Sequence, residues 1–498
     1  MVLKKSKEVS VLLLSPRERD LGYEYINSLR ENLGLGYLAA VLEENGFKFL
    51  VYQNLDRGGV PGIYAELNDT DCVAVSLPFW ENRKEYVGFL NDISGLLKPG
   101  VPLVLGGHAP TIGAEYFFRS VPRTTDIILG YAENAFVEYC RVLSGQGGSG
   151  LIIETLGPKR RLLRSKTPPD ITKLPFPKRT LGAEERTAHG SVVEAYISAS
   201  RGCLNNCTFC SVPTFCRNAY GGKYWEGRTA FNIGEEITSL LDSMPGLNYF
   251  TFVDDNFVGY GRGKYVRLKQ IARTVKAITS GEIPFEITIR TDGFNAEVFE
   301  QLKEAGLISV YLGIESANQR ILNEFKKGIK TETNLRTLRG LRSLGLNVDV
   351  GFIMYAPSAT LDEIGVNLNF LKYLINDLGL TVHPGAILRL LRVYPQDYGK
   401  HALDVESDIP ALSGPVSIVA SAIDTIWRGR LLEYFVRSET AIYGKTRESD
   451  DGDPAKGQYV NSVSNYLISA TETLITEVRK GIIELGSLLD KILEPKLS

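Results

Sequence analysis

Three of the six cysteines in this chain fall within eight residues, Cys203, Cys207 and Cys210, inside ISASRGCLNNCTFCSVPTF from Ile197 to Phe215. Thiolates at the spacing C-x3-C-x2-C can converge on one face of a compact loop, and thiolate is the ligand preferred by iron–sulfur clusters and by zinc. A structural zinc ion takes a fourth Cys or His. The nearest candidates are Cys216, six residues past Cys210, and His189, fourteen before Cys203. A loop of three cysteines would instead leave one iron of a four-iron cluster open for a small ligand. Cys72 opens a strand pattern and Cys140 follows helical NAFVEY, so both are read as buried small hydrophobes. Cys216 is read as a packing residue, with a thiol function beside the loop as the alternative.

Elements must place that loop. Residues 1–146 alternate β-rich apolar runs (VSVLLLS, FKFLVYQ, CVAVSLPF, PLVLGG) with helical patterns, which predicts a doubly wound, Rossmann-like α/β domain. Runs this continuous in Val, Leu and Ile suit a parallel sheet buried on both faces, whose ligands sit at the carboxyl ends of its strands. Residues 147–190, with GQGGSG, PKRRLLRSK, TPPD and LPFPKR, read as a solvated linker. A second βα series over 191–395 predicts a full or partial βα barrel, with chemistry at its strand C-termini. The cysteine loop follows AYISAS, the end of the first barrel strand, and His383 is placed at the end of a sixth. Residues 396–498 are expected to form a helical domain capping the active site, with Val463, Tyr466, Leu467, Leu474, Val478, Ile482, Leu485, Leu489 and Ile492 at helical steps.

The chain has 498 residues, 44% hydrophobic and 23% charged, with a formal net charge of -2, which gives no footprint of a general nucleic-acid binder. It contains no uninterrupted apolar run of transmembrane length, and MVLKKSKEVSVLLLSP lacks a secretory cleavage site. A cytoplasmic protein with reduced thiols is expected.

The sequence C-L-N-N-C-T-F-C resembles the C-x3-C-x-aromatic-C signature of the radical S-adenosylmethionine superfamily, with Phe209 as the aromatic residue, SRGC before it and RTAFNIGEEI after it. The resemblance implies that Cys203, Cys207 and Cys210 hold a four-iron four-sulfur cluster and that the open iron chelates S-adenosylmethionine, which an electron then cleaves to a 5'-deoxyadenosyl radical. It further implies that Asp254 or Asp255 receives the ligand's ammonium in place of the family's commoner Gly-Gly-Glu, that Arg290 pairs with its carboxylate, and that Glu315 and Ser316 meet its ribose. GFIMYAPSAT departs from the family's Gly-x-Pro-Gly-Glu-Thr.

The first domain resembles the cobalamin-binding class of the same superfamily, in LGLGYLAAVLEENG, VAVSLPF, LVLGGHAPT and DIILGYAENAF. That likeness implies a corrinoid held near Ser76, Gly106, Gly107, His108, Gly130 and Glu133. Tyr131 stands where an acidic residue is usual, and none of His108, His189, His383 and His401 lies in an Asp-x-His-x-x-Gly motif, so a cobalt without an imidazole ligand is expected. The function implied is C-methylation of an unactivated carbon in a small-molecule natural product or lipid, served by a low-potential donor of flavodoxin or ferredoxin type. The alternatives are radical rearrangement, cyclisation or carbon–carbon bond formation with cobalamin in an auxiliary role, and a binding protein with a decayed barrel.

Overall fold

The structure, a computed structural model, describes residues 8–17, 31–157, 160–180, 193–389, 414–427 and 454–480. Its first sheet joins β1 (Ser10–Pro16), β2 (Lys48–Leu55), β3 (Cys72–Ser76), β4 (Leu103–Gly106), β5 (Thr124–Ile128), β6 (Leu151–Gly157) and β7 (Arg160–Ser165) in the order β2-β1-β3-β4-β5-β7-β6. Alternate residues enter opposite cores: Leu12, Val73 and Leu105 on one face, Val11, Cys72 and Val104 on the other. Cys72 and Cys140 are both buried there, as small apolar residues should be.

The linker reading of residues 147–190 is corrected by β6 and β7. They form an antiparallel hairpin whose β7 pairs in parallel with β5. An unpaired β5 would expose a row of backbone donors and acceptors, and the hairpin covers it. Its basic run is not simply solvated: Arg161 forks onto the fully buried Asp126 at 2.5 Å, which also accepts from Tyr139 at 2.8 Å. Beyond it Arg179 bridges Glu31 at 3.0 Å and Glu236 at 2.8 Å, tying the first domain to the second.

The second sheet holds β8 (Val193–Ile197), β11 (Leu247–Phe252), β12 (Phe285–Arg290), β13 (Leu307–Glu315) and β14 (Asn347–Phe352), all parallel, in the order β14-β13-β12-β11-β8. The linear order makes it a partial barrel. A short antiparallel ribbon of β9 (Ser200–Cys203) and β10 (Tyr224–Gly227) stands at its first strand end. The expected sixth strand is absent among the described residues. Asn461 and Ser464, on the helix Pro454–Arg479, instead bond the backbone of Leu380 and Val382, taking groups a ladder would have used. His383 accepts from the N–H of Gly385 at 3.1 Å and so caps its own turn.

The helices Gly414–Ile426 and Pro454–Arg479 confirm the helical reading of the C-terminal region, but Val419, Leu467 and Leu474 belong to the barrel's hydrophobic core and do not form a separate one. Ile482, Leu485, Leu489, Ile492, His189 and His401 lie outside the described residues. No described helix is long and apolar enough to cross a membrane.

Candidate active site

Cys203 ends β9, opposite Tyr224 of β10, and Cys210 closes a turn by donating its N–H to the carbonyl of Cys207 at 3.3 Å. The Cys203 sulfur lies 2.8 Å from the Tyr260 hydroxyl and 3.5 Å from Asn205 Nδ2, which also donates to Tyr260 at 2.7 Å. Cys207 is buried, and Arg290 Nη1 donates to its sulfur at 3.6 Å. Burial pushes the Cys207 thiol up while Lys327 and Arg290 oppose that rise, since nearby cations favour thiolate. Among the described residues no three Cys, His, Asp or Glu side chains are closed on a single point. The loop instead offers three thiols on one turn beside two cations, a donor set whose chemistry suits an iron–sulfur cluster.

The segment after Glu324 clamps this loop, and no motif in the sequence announces it. Thr208 donates its N–H to Phe325 O at 3.0 Å, and Phe209 meets the Phe325 ring edge-on at 5.3 Å. Lys327 is buried, bonded to Glu315 at 2.9 Å and poised 5.4 Å from the Phe209 ring centre. A buried lysine beside a thiol loop carries no sequence signature, because it is the fold of FKKGIK that turns it inward.

Arg290, at the end of β12, is spent differently from the carboxylate partner expected of it. Besides Cys207 it bonds Asp292 at 3.1 and 3.2 Å and the Lys327 carbonyl at 2.8 Å, so its fork is already engaged. Glu315 ends β13 after a register shift, at a φ of 68°, a strained value for a residue with a Cβ that Lys327 helps to hold. Ser316 is fully buried between Asn367 at 3.0 Å and the Asn318 N–H at 3.1 Å. It fixes the loop onto the helix Leu361–Asn376, and its hydroxyl is not turned out to a ribose.

The two aspartates after β11 separate cleanly. Asp254 is buried with both oxygens bound, one to the Ala199 N–H at 3.1 Å and one to the Ser200 hydroxyl, so it anchors the start of β9. Asp255 is solvent-exposed yet ringed by protein, and its field reaches Cys210, Cys216 and Tyr131. That combination marks a side chain set in a cleft. Its carboxyl is pushed up to about 6 by the surrounding protein and then by Asp254.

Opposite this cleft lies the first sheet. The helix Val212–Tyr220, which continues the cysteine loop, buries Val212, Phe215 and Cys216 in that sheet's core, against which Cys203 and Cys210 also pack. Cys216 is thus a core residue, as the packing reading held. Gly107, at φ 97°, accepts no Cβ because the Leu77 backbone stands 2.8 Å from that position, and at Gly130, φ 80°, a Cβ would strike Ala219 and Tyr220 at 2.7 Å. Glycine at both sites is required for close approach, by the chain itself in one case and by the two domains in the other.

A slot opens at the ends of β3 and β4, lined by Leu35, Ser76, Val104, Gly106, Ile128 and Phe136 among others. Only a hydroxyl, Ser76 Oγ, breaks its apolar wall in this set, and that oxygen accepts from Asn32 at 3.3 Å. An apolar slot at strand carboxyl ends, where Gly106 offers no side chain, fits the nonpolar face of a bulky nucleotide-tailed ligand. His108 stacks on Phe215 at 4.5 Å, and burial pulls its imidazole down to about 4, so it is neutral.

Across the interface Arg201, two residues before Cys203, bonds Glu133 at 2.7 Å with its guanidinium 4.6 Å from the Tyr37 ring centre and 4.7 Å from that of Tyr131. Glu133 therefore serves the domain junction. Tyr131, in the position of the usual acid, donates its N–H to the Tyr220 hydroxyl at 2.7 Å and supplies one face of this cation sandwich. Arg201 was legible in SRGC only as a neighbour of the motif, since its partner lies 68 residues away.

The family model of the radical SAM superfamily matches residues 197–371. An uncharacterised methyltransferase of Pyrococcus horikoshii is 26% identical over 394 residues, covering 77% of this chain and 83% of that protein. Among solved structures, the cobalamin-dependent S-adenosylmethionine radical enzyme OxsB superposes with a TM-score of 0.71 at 16% identity, over 97% of this chain and 75% of that one. The radical S-adenosylmethionine methyltransferase TsrM from Kitasatospora setae gives 0.60 at 18% identity, over 78% and 74%. These likenesses establish the α/β fold that the chain shares with those enzymes.

Proposed function

Because this chain carries the radical SAM domain, we propose that it is a cobalamin-dependent radical S-adenosylmethionine enzyme that methylates an unactivated carbon of a small-molecule natural product or lipid. One observation carries the reading: the cysteine loop and its helix pack on one face of the first sheet, and the apolar slot opens at the carboxyl ends of that same sheet, lined mainly from its other face. A cluster on Cys203, Cys207 and Cys210 and a corrinoid seated at Ser76, Gly106 and Gly107 would then both be held against the first sheet. When bound, these groups supply electron-driven sulfonium cleavage and methyl transfer.

The chain's own residues hold these sites in register. Arg290 donates to the Cys207 sulfur, and Lys327 neutralises Glu315 beside it. Asp255 offers the cleft a carboxylate for the ammonium of S-adenosylmethionine, while Asp254 and Arg201 fix β9 from either side. A low-potential protein donor of flavodoxin or ferredoxin type and a cytoplasmic setting complete the proposal.

The two aspartates give a first test. Asp255→Asn is expected to weaken S-adenosylmethionine binding by about tenfold, the worth of one charge-assisted hydrogen bond, with the melting temperature little changed. Asp254→Ala is expected to do the reverse, costing about 1–3 kcal/mol of stability because the Ala199 N–H and Ser200 hydroxyl lose their acceptor. Equilibrium dialysis and thermal unfolding would read the two effects, and the opposite pairing would reverse the assignment.

Methylation itself is tested by product balance. Anaerobic protein given methyl-labelled S-adenosylmethionine, a low-potential reductant and host small-molecule and lipid extracts is expected to yield equal 5'-deoxyadenosine and S-adenosylhomocysteine. The label should appear on an sp3 carbon. 5'-Deoxyadenosine without S-adenosylhomocysteine, together with an altered but unlabelled substrate, would instead establish rearrangement or cyclisation.

A further inference from the structure

The cysteine loop comes to the surface, and three exposed cations lie close to it. Leu204, Asn206 and Thr208, interleaved with the thiols, are all exposed. From the Cys203 sulfur a contact leads outward to the Tyr260 hydroxyl at 2.8 Å and on to the Trp225 ring, which meets the Tyr260 ring edge-on at 5.6 Å. Lys223 precedes Trp225 by two residues and Arg262 follows Tyr260 by two, and both side chains are exposed. On the opposite flank Lys326 is exposed beside Phe325, whose carbonyl holds the Thr208 N–H. None of these three cations forms an ion pair among the described residues, whereas Asp292 and Glu324 are paired to Arg290 and Arg320, and the exposed carboxylate of Asp255 acts on Cys210, Cys216 and Tyr131, toward the domain junction.

A chain with a formal net charge of -2 thus gathers unpaired positive charge where its thiol loop meets solvent. We propose that this rim, Lys223, Arg262 and Lys326 around Leu204, is the docking surface for an acidic one-electron donor protein, which reaches the cluster through the Cys203 side. The inference rests on the cluster reading above. Tunnelling falls steeply with distance, so a donor must seat its redox centre against the place where the cluster's ligands lie nearest the surface. Leu204 gives that seat an apolar centre, and the cations supply the steering that brings an acidic partner in at a productive angle. One electron leaves the donor, such as an anionic flavin hydroquinone passing to its neutral semiquinone with no proton released, and one enters the oxidised cluster.

The test uses the full chain reconstituted anaerobically with iron and sulfide, and a purified flavodoxin in its hydroquinone state as the probe. Cluster absorbance and the electron paramagnetic resonance of the reduced form are recorded first for wild type and for Lys223→Glu/Arg262→Glu, and should agree. In stopped flow at low ionic strength, reduction of the charge-reversed variant by flavodoxin should be slowed by about tenfold or more, and the difference should shrink as salt is added. Reduction by dithionite, a small anion that needs no protein interface, serves as the internal measure and should change far less. Equal flavodoxin rates and equal salt dependence in the two proteins would overturn the docking surface while leaving the cluster reading intact. A wild-type protein that takes up no iron–sulfur cluster would overturn the cluster reading itself, and this surface with it.

Discussion

Cys203→Ala, Cys207→Ala and Cys210→Ala are each expected to abolish both the four-iron cluster and cleavage of S-adenosylmethionine, with iron content and visible absorbance falling to background after anaerobic reconstitution. The reason is ligand count, since two thiolates cannot replace three. The three variants should differ in how the apoprotein tolerates them. Cys207 is buried, so its truncation also leaves a small void, whereas Cys203 and Cys210 are partly exposed. Thermal unfolding of the apoproteins would read that difference, with Cys207→Ala melting lowest. Stoichiometric zinc and no iron in the wild-type protein, after anaerobic purification, would refute the cluster assignment.

Arg201→Met is expected to produce the largest loss of stability of any surface-preserving change at the domain junction, about 3–5 kcal/mol, because it strands the Glu133 carboxylate in a buried site. Both side chains are nearly sealed, at 8% and 5% exposure. The double variant Arg201→Met/Glu133→Leu should recover much of that loss, since an apolar pair of similar volume removes the unpaired charge. Recovery will be incomplete, because the guanidinium also lies between the faces of Tyr37 and Tyr131. Urea unfolding of four apoproteins, the wild type, Arg201→Met, Glu133→Leu and the double variant, gives the cycle. A single variant no less stable than the double would show that the pair does not join the domains. Corrinoid retention should follow the same order, because Arg201 positions the strand that leads into the cysteine loop against the first sheet.

Much of this architecture is written in local pattern. Continuous apolar runs such as VSVLLLS and PLVLGG fix buried parallel strands, because only a sheet covered on both faces can bury every side chain of such a run. The loop of Cys203, Cys207 and Cys210 is legible because its chemistry depends on spacing along the chain, which folding does not alter. The hairpin of β6 and β7 was not legible, because its basic, glycine-flanked composition resembles a linker until Asp126 is seen to need Arg161 and β5 to need a neighbour. The missing sixth strand has the same cause. Asn461 and Ser464 claim its backbone groups from a helix some eighty residues later in the chain, and no local propensity reports such competition.

What the sequence alone determined is the inventory: three thiols at cluster spacing, a doubly wound domain before a βα series, glycines at strand ends and paired acids after the second barrel strand. What tertiary structure decided is the assignment of roles. Asp254 and Asp255 are neighbours of identical type, yet one is consumed by the Ala199 and Ser200 backbone and hydroxyl while the other is left in a cleft. Glu133, expected at the corrinoid, is held by Arg201, and Arg290, expected at a carboxylate, is held by Asp292, Lys327 and Cys207. Lys327 entered the site only by folding. A side chain's chemistry is fixed by its type, but its availability is set by which donors and acceptors three-dimensional packing brings within about 3 Å, and those partners are distant in sequence.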